Sequence, residues 1–390
     1  MQNLKQISNT HLDRIDTRFV RYLHDEIKWD ARLIAVVGAR GVGKTTMLLQ
    51  HILLSGQRDH SLIVYADNLY FTSHTLVELA WDFYKDGGKY LYIDEIHKYR
   101  HWSTEIKNIY DQLPDLHVVY TGSSIMELEK GGADLSRRQL KYHLQGMSFR
   151  EWLQLRKGIA VPVTPLDLLL HGNIDFPFRD HRPLPLFKEY LVNGYFPFCN
   201  DPGYLDRIGA IVTQTLENDI PQYASMSIGT MHKLRTLMGI ITRISPFKPN
   251  YSNLARDIEV NRADLKNLLF FLQKSGMIAC AAPDDTGLSR LAKTEKIYLD
   301  NTNLIYALCG STVDIGNLRE TAFLMMTRVR HEVFTSPVSD FTIEGNTFEV
   351  GGRKKGKRQI RDVEHGYVVK DDIEYATAGE IPLWAMGLGY

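Results

Sequence analysis

Residues 38–45 read Gly-Ala-Arg-Gly-Val-Gly-Lys-Thr, a spacing of glycines, lysine and threonine that suits the cradling of phosphate. Glycines let backbone N–H groups converge on phosphate oxygens, and a helix N-terminus adds positive potential. Gly38, Gly41, Val42 and Gly43 are the expected loop contacts, and Lys44 the cation that reaches the β- and γ-phosphates. The Thr45 hydroxyl is expected to ligate Mg²⁺, and Thr46 to touch the α-phosphate. The ligand this predicts is a nucleoside triphosphate with its metal.

Hydrolysis also needs a carboxylate at the end of a neighbouring strand. In Lys-Tyr-Leu-Tyr-Ile-Asp-Glu-Ile-His, residues 89–97, Asp94 closes an apolar run and is expected to hold magnesium through water. Glu95 is placed to orient and deprotonate the attacking water. Asp94 to His97 also spell the D-E-x-H of helicases, but no second phosphate loop or lobe is visible, and His97 is expected to pack or hydrogen-bond locally. After the run Leu116–Thr121, Ser123 or Ser124 is expected to sense the γ-phosphate, with a plain turn as the alternative. Arg137 or Arg138 is expected to stabilise transition-state charge, in cis or across a subunit interface; a solvated basic pair is the alternative.

These groups need a rigid frame. Residues 33–37, 62–65, 91–93, 116–121 and 140–144 are short apolar strands that alternate with helical segments. That alternation predicts an α/β class: a parallel sheet with helices on both faces, over residues 1–150. Residues 151–245 are expected to form a proline-bearing connection and a helical lid. Within 246–312, two helices around a turn at 259–261 and a following hairpin predict a winged helix. Its recognition helix would carry Asn261, Arg262, Asp264, Lys266 and Asn267. So few cations leave two uses open, DNA contact or an internal clamp.

Residues 313–390 are expected to form an α+β domain like the restriction endonucleases. Glu320 on a helix, Asp340 before a hairpin and Glu349 on its return match the acidic positions of such metal sites. Gly351 stands where those sites have lysine, so a nuclease-like fold without the reaction is the expectation. The same stretch is basic: Arg353, Lys354, Lys355, Lys357, Arg358 and Arg361 lie within nine residues. They predict nucleic-acid contact, or a solvated loop facing the acidic run 371–374.

Composition narrows the classes. The 390 residues carry 46 Lys plus Arg against 46 Asp plus Glu, so any basic surface must be local. Three scattered cysteines argue against a disulfide framework or zinc ribbon. No signal-type leader and no run long enough to span a membrane is present, which predicts a cytoplasmic protein.

Taken together, Gly38–Thr46, residues 91–111, 116–128, 133–138 and 146–153, and Glu-Tyr-Leu-Val-Asn-Gly-Tyr-Phe-Pro-Phe at 189–198 resemble the prokaryotic AAA-type ATPases related to the STAND class. The resemblance runs through nearly the whole chain. It implies ATP and ADP as ligands, with slow hydrolysis used as a switch or motor. ATP over GTP rests on that resemblance, since no N/TKxD motif is found. DNA, reached through Arg353, Lys354, Lys355, Lys357 and Arg358, and a protein partner or homo-oligomer both stand as expected targets.

Overall fold

Leu33–Val37 (β1) is apolar and buried at all five positions, as a strand covered on both faces must be. The computed structural model describes residues 1–122, 135–284, 295–310 and 313–390, which fold as two compact units, Met1–Gly146 and Met147–Tyr390. In the first unit β1 is joined by Ser61–Tyr65 (β2), Tyr90–Asp94 (β3), His117–Gly122 (β4) and Leu140–His143 (β5). All pair in parallel, in the order β2-β3-β4-β1-β5.

Helices Gln2–Leu12 (α1), Lys44–Leu54 (α2), Leu76–Lys85 (α3) and Trp102–Gln112 (α4) accompany the sheet. Thr75 and Glu78 form a reciprocal capping box that starts α3, and the helix then buries Leu76, Leu79, Ala80 and Phe83. The Ser8 hydroxyl of α1 accepts the Ile63 N–H at 3.3 Å, which satisfies an edge donor of β2. Strand order departs from the expected neighbourhood in one respect: β4 lies between β1 and β3, so Asp94 is two strands away from the phosphate loop.

After the short helices Phe149–Trp152 and Leu166–Leu170, the second unit continues with helices Pro183–Asn193 (α5), Tyr204–Gln214 (α6) and Ile228–Ile244 (α7). Tyr251–Asp257 (α8) and Arg262–Lys274 (α9) follow, then the antiparallel pair Ile278–Pro283 (β6) and Lys296–Leu299 (β7). Helices Thr302–Cys309 (α10) and Ile315–Thr327 (α11) lead into Phe334–Thr335 (β8), Phe341–Ile343 (β9), Asn346–Gly351 (β10), Gly366–Lys370 (β11) and Glu380–Pro382 (β12). Glu344 and Gly345, both at positive φ, make the tight β9–β10 turn.

The hairpin is not a free wing. Ala282 and Pro283 of β6 pair in parallel with Phe334 and Thr335, so all seven strands form one sheet, β12-β11-β10-β9-β8-β6-β7. The segments expected as 246–312 and 313–390 are therefore joined by backbone hydrogen bonds, and 151–245 lies in the same unit. Phe323 of α11 stacks on Phe341 at 4.9 Å and approaches Phe348 at 5.4 Å, which fixes α11 on β9 and β10.

Candidate nucleotide site and other functional residues

The loop after β1 turns through Gly41 and Gly43, both at positive φ that only glycine adopts without strain. Gly38 is needed for another reason: a Cβ there would lie 2.2 Å from the Leu144 carbonyl oxygen. Lys44, buried at the start of α2, donates to the carbonyls of Gly38 and Ala39, each at 3.0 Å, so its ammonium is held inside the loop. Thr45 follows on the first turn of α2, and Thr46 is exposed beside it.

Thr45 Oγ1 donates to Asp94 Oδ2 at 2.7 Å. The other Asp94 oxygen accepts from Thr121 Oγ1, so the last turns of β3 and β4 and the first of α2 meet on one carboxylate. Burial pushes the Asp94 carboxyl up, while the Thr121 and Thr45 hydroxyls pull the other way. Thr121 also accepts the Glu95 N–H at 3.1 Å. Glu95 itself adopts a left-handed backbone at φ 54, an uncommon state for a non-glycine residue at a strand end. Its carboxylate stands 3.6 Å from His97 Nε2 and 3.9 Å from Lys98 Nζ, and Lys98 is paired with Asp67 at 2.6 Å. His97 thus sits beside Glu95.

Thr121 is the site residue that reading the sequence missed. In the sequence it reads only as the last residue of a strand, and Ser123 and Ser124, expected to sense the γ-phosphate, lie outside the described residues. Its signal was a small hydroxyl near the end of a buried strand. Arg21 was missed as well. It is buried far from the motif in sequence, and its guanidinium donates to Val42 O of the loop and to Gln145 O at 2.8 Å. Arg138 is committed within its own unit, donating to both carboxylate oxygens of Asp111 at 3.1 and 3.2 Å, whereas Arg137 is exposed.

In the second unit, Glu320, Asp340 and Glu349 lie near one another but each is occupied. Glu320 accepts from Lys296 at 2.5 Å and from the Tyr298 hydroxyl at 3.1 Å. Asp340 accepts the Val350 N–H at 2.8 Å. Burial, helped by Glu320 and Glu349, raises Asp340 to about 6 against that hydrogen bond. Glu349 is buried and bound by Ser339 and Lys355. Among the described residues, no group of three or more His, Cys, Asp or Glu gathers closely enough to hold a metal, and no helix is long and apolar enough to cross a membrane.

The motif at 189–198 is architectural. Asn303 accepts the Tyr195 N–H at 2.8 Å and the Tyr204 hydroxyl, and donates to Leu191 O at 2.8 Å. This side chain satisfies the backbone where α5 ends.

Residues 30–153 match the family model of the AAA domain, and residues 184–314 match a domain of unknown function, DUF8612. An uncharacterized protein of Methanocaldococcus jannaschii is 26% identical, with 93% of this chain and 85% of that protein covered. Among solved structures, the Hsp104–ADP complex of S. cerevisiae is 17% identical with a TM-score of 0.33, and the match covers 69% of this chain but only 42% of Hsp104. AMPPCP-bound DnaA from Aquifex aeolicus is 10% identical with a TM-score of 0.28, with 70% of this chain and 88% of that one covered. The AAA-domain match spans the phosphate loop, Asp94 and Glu95: the chain carries an AAA-type P-loop ATPase domain, followed by a domain of unknown function.

Proposed function

We propose that the protein is a Mg²⁺-dependent ATPase whose nucleotide state is read out by its second unit. The observation that carries this is the 2.7 Å contact of Thr45 with Asp94, above a buried Lys44 and beside Glu95. A hydroxyl and a carboxylate on one spot are hard oxygen donors of the kind magnesium takes. Bound Mg²⁺, held by Thr45 and, through water, by Asp94, would neutralise charge on the β- and γ-phosphate oxygens.

The chain's own residues do the rest. The N–H groups of Gly41, Val42 and Gly43 and the Lys44 ammonium bind and orient the triphosphate. Glu95 accepts a proton from water as that water's oxygen bonds to the γ-phosphorus. The bond to the bridging oxygen breaks, and ADP and phosphate leave. Thr121 fixes the backbone that aims Glu95. Arg137 is exposed and is the arginine available to a second copy of the chain, whereas Arg138 would first have to leave Asp111.

The test is steady-state turnover and nucleotide affinity of wild type and Glu95→Gln. Removing the general base is expected to cut turnover at least ~100-fold while nucleotide affinity is kept. Undiminished turnover in the variant would exclude Glu95 as the base.

A further inference from the structure

We infer that the segment joining β10 to β11 is a preformed grip for the phosphodiester backbone of nucleic acid, and that Lys355 holds it in shape. Parallel strands need a crossover, commonly a helix. Here residues 352–365 cross without one, and they carry six Lys and Arg against two acids, Asp362 and Glu364.

Three points pin this crossover. The Lys355 ammonium folds back onto the buried Glu349 carboxylate. Its stem fills the space a side chain at position 351 would need: a Cβ on Gly351 would lie 2.6–2.8 Å from the Lys355 side-chain carbons. Gly351 is thus the residue that admits Lys355. Lys357 Nζ donates to Ala378 O at 3.0 Å, and Ile360 is buried. Around the pins Arg353, Lys354, Arg358 and Arg361 are exposed, and no ion pair engages them among the described residues.

The acids expected to face this segment are committed elsewhere. Asp371 pairs with Arg319 at 2.9 Å, Asp372 with Lys188 at 2.9 Å and Glu374 with Arg182 at 3.1 Å. Four cations on a pinned frame therefore keep their charge for an external anion. Guanidinium forks match phosphate geometry. The segment presents no exposed apolar side chain that would enter a lipid surface, since Ile360 is buried and Val363 half-buried. A repeating phosphate backbone is the partner that fits, bound without base readout.

The grip belongs to the second unit and does not depend on turnover by the first, so ATPase activity measured on the same samples separates the two readings. The experiment is fluorescence anisotropy of the full chain with labelled duplex DNA, from about 50 to 200 mM salt. Each neutralised phosphate is expected to contribute roughly 0.9 to the log–log salt slope. Replacing Arg353, Lys354 and Arg358 together with Gln should lower that slope by about 2.7 and leave basal ATP turnover unchanged. Lys355→Met removes no exposed cation, yet should weaken binding about tenfold because the frame it orders is lost. Absent or salt-independent binding, or a triple variant that binds like wild type, would overturn the inference. So would equal binding to phosphatidylserine vesicles, which would assign the surface to lipid headgroups.

Discussion

Thr121 spends its hydroxyl on two hydrogen bonds, and through them it touches both carboxylate residues of the site. Its hydroxyl donates to Asp94 and accepts the Glu95 N–H at 3.1 Å, beside a Glu95 backbone held at φ 54. A positioning role has a distinct signature. Thr121→Val keeps the shape of the strand but leaves the Asp94 oxygen and the Glu95 N–H without that partner, at a cost of about 1–3 kcal/mol for each buried group left unmet. Because the ground-state triphosphate is held by the loop, turnover is expected to fall about tenfold or more while nucleotide affinity changes less than threefold. Single-turnover kinetics with titrated nucleotide would show it. Equal losses in affinity and rate would assign Thr121 to loop structure instead.

At the scale of elements, α2 does two jobs: its first turn faces the nucleotide, and its last turns hold the unit together. His51 on that helix stacks on Trp29 with ring centroids 3.7 Å apart and lies 3.3 Å from His24. Burial, and then the His24 charge, lowers His51 to about 4 from an ordinary 6.5. The folded form therefore stays neutral where the unfolded chain binds a proton. Stability is kept above about 6.5 and lost as pH falls towards about 4, by roughly 3 kcal/mol at most. His51→Phe keeps the stack and removes the titration, so its unfolding midpoint should fall less than wild type's between neutral pH and pH 4. A loss identical to wild type's would show that carboxylates alone set the acid limit.

The same scale divides what could be read from the sequence from what could not. β1, the glycine loop and the start of α2 were legible because apolar run, glycines and helix follow each other within some twenty residues. Asp94 was legible because a carboxylate closing a buried strand has few other uses. The insertion of β4 between β1 and β3 was not legible, since strand order is set by contacts across the whole unit and leaves no local pattern. Hence no local pattern marks Thr121, although it lies in the gap between the loop and Asp94. Arg21 was illegible for the same reason: its partners Val42 and Gln145 are distant in sequence and both are backbone carbonyls. In the second unit the helix pair and the two strands after it occupy the expected segments, while residues 285–294 between those strands lie outside the described residues. The fusion of those strands into a seven-stranded sheet rests on two residue pairs, 282 with 334 and 283 with 335.

At the scale of the molecule, two compact units predict that a lesion in one can be told from a lesion in the other. Arg328 at the end of α11 donates to Asp300 Oδ1 at 2.8 Å and to Asp300 O at 2.9 Å, and the Tyr195 hydroxyl donates to Asp300 Oδ2 at 3.2 Å. Arg328→Met would leave the buried Asp300 carboxylate without its cation, with only the Tyr195 hydroxyl and the Asn301 amide as donors, at a cost of roughly 3 kcal/mol. The arginine belongs to the second unit, so ATP affinity of the first is expected to be unchanged. Calorimetry makes the distinction sharper. A nucleotide at about 100 times its Kd stabilises the unit that binds it by about 2.7 kcal/mol. The transition that nucleotide raises should be the one that Arg328→Met leaves in place, and the transition that the variant lowers should ignore nucleotide. If one transition answers to both, the two units unfold as a single cooperative body, and the nucleotide's binding energy is then felt directly by the sheet that carries the basic segment.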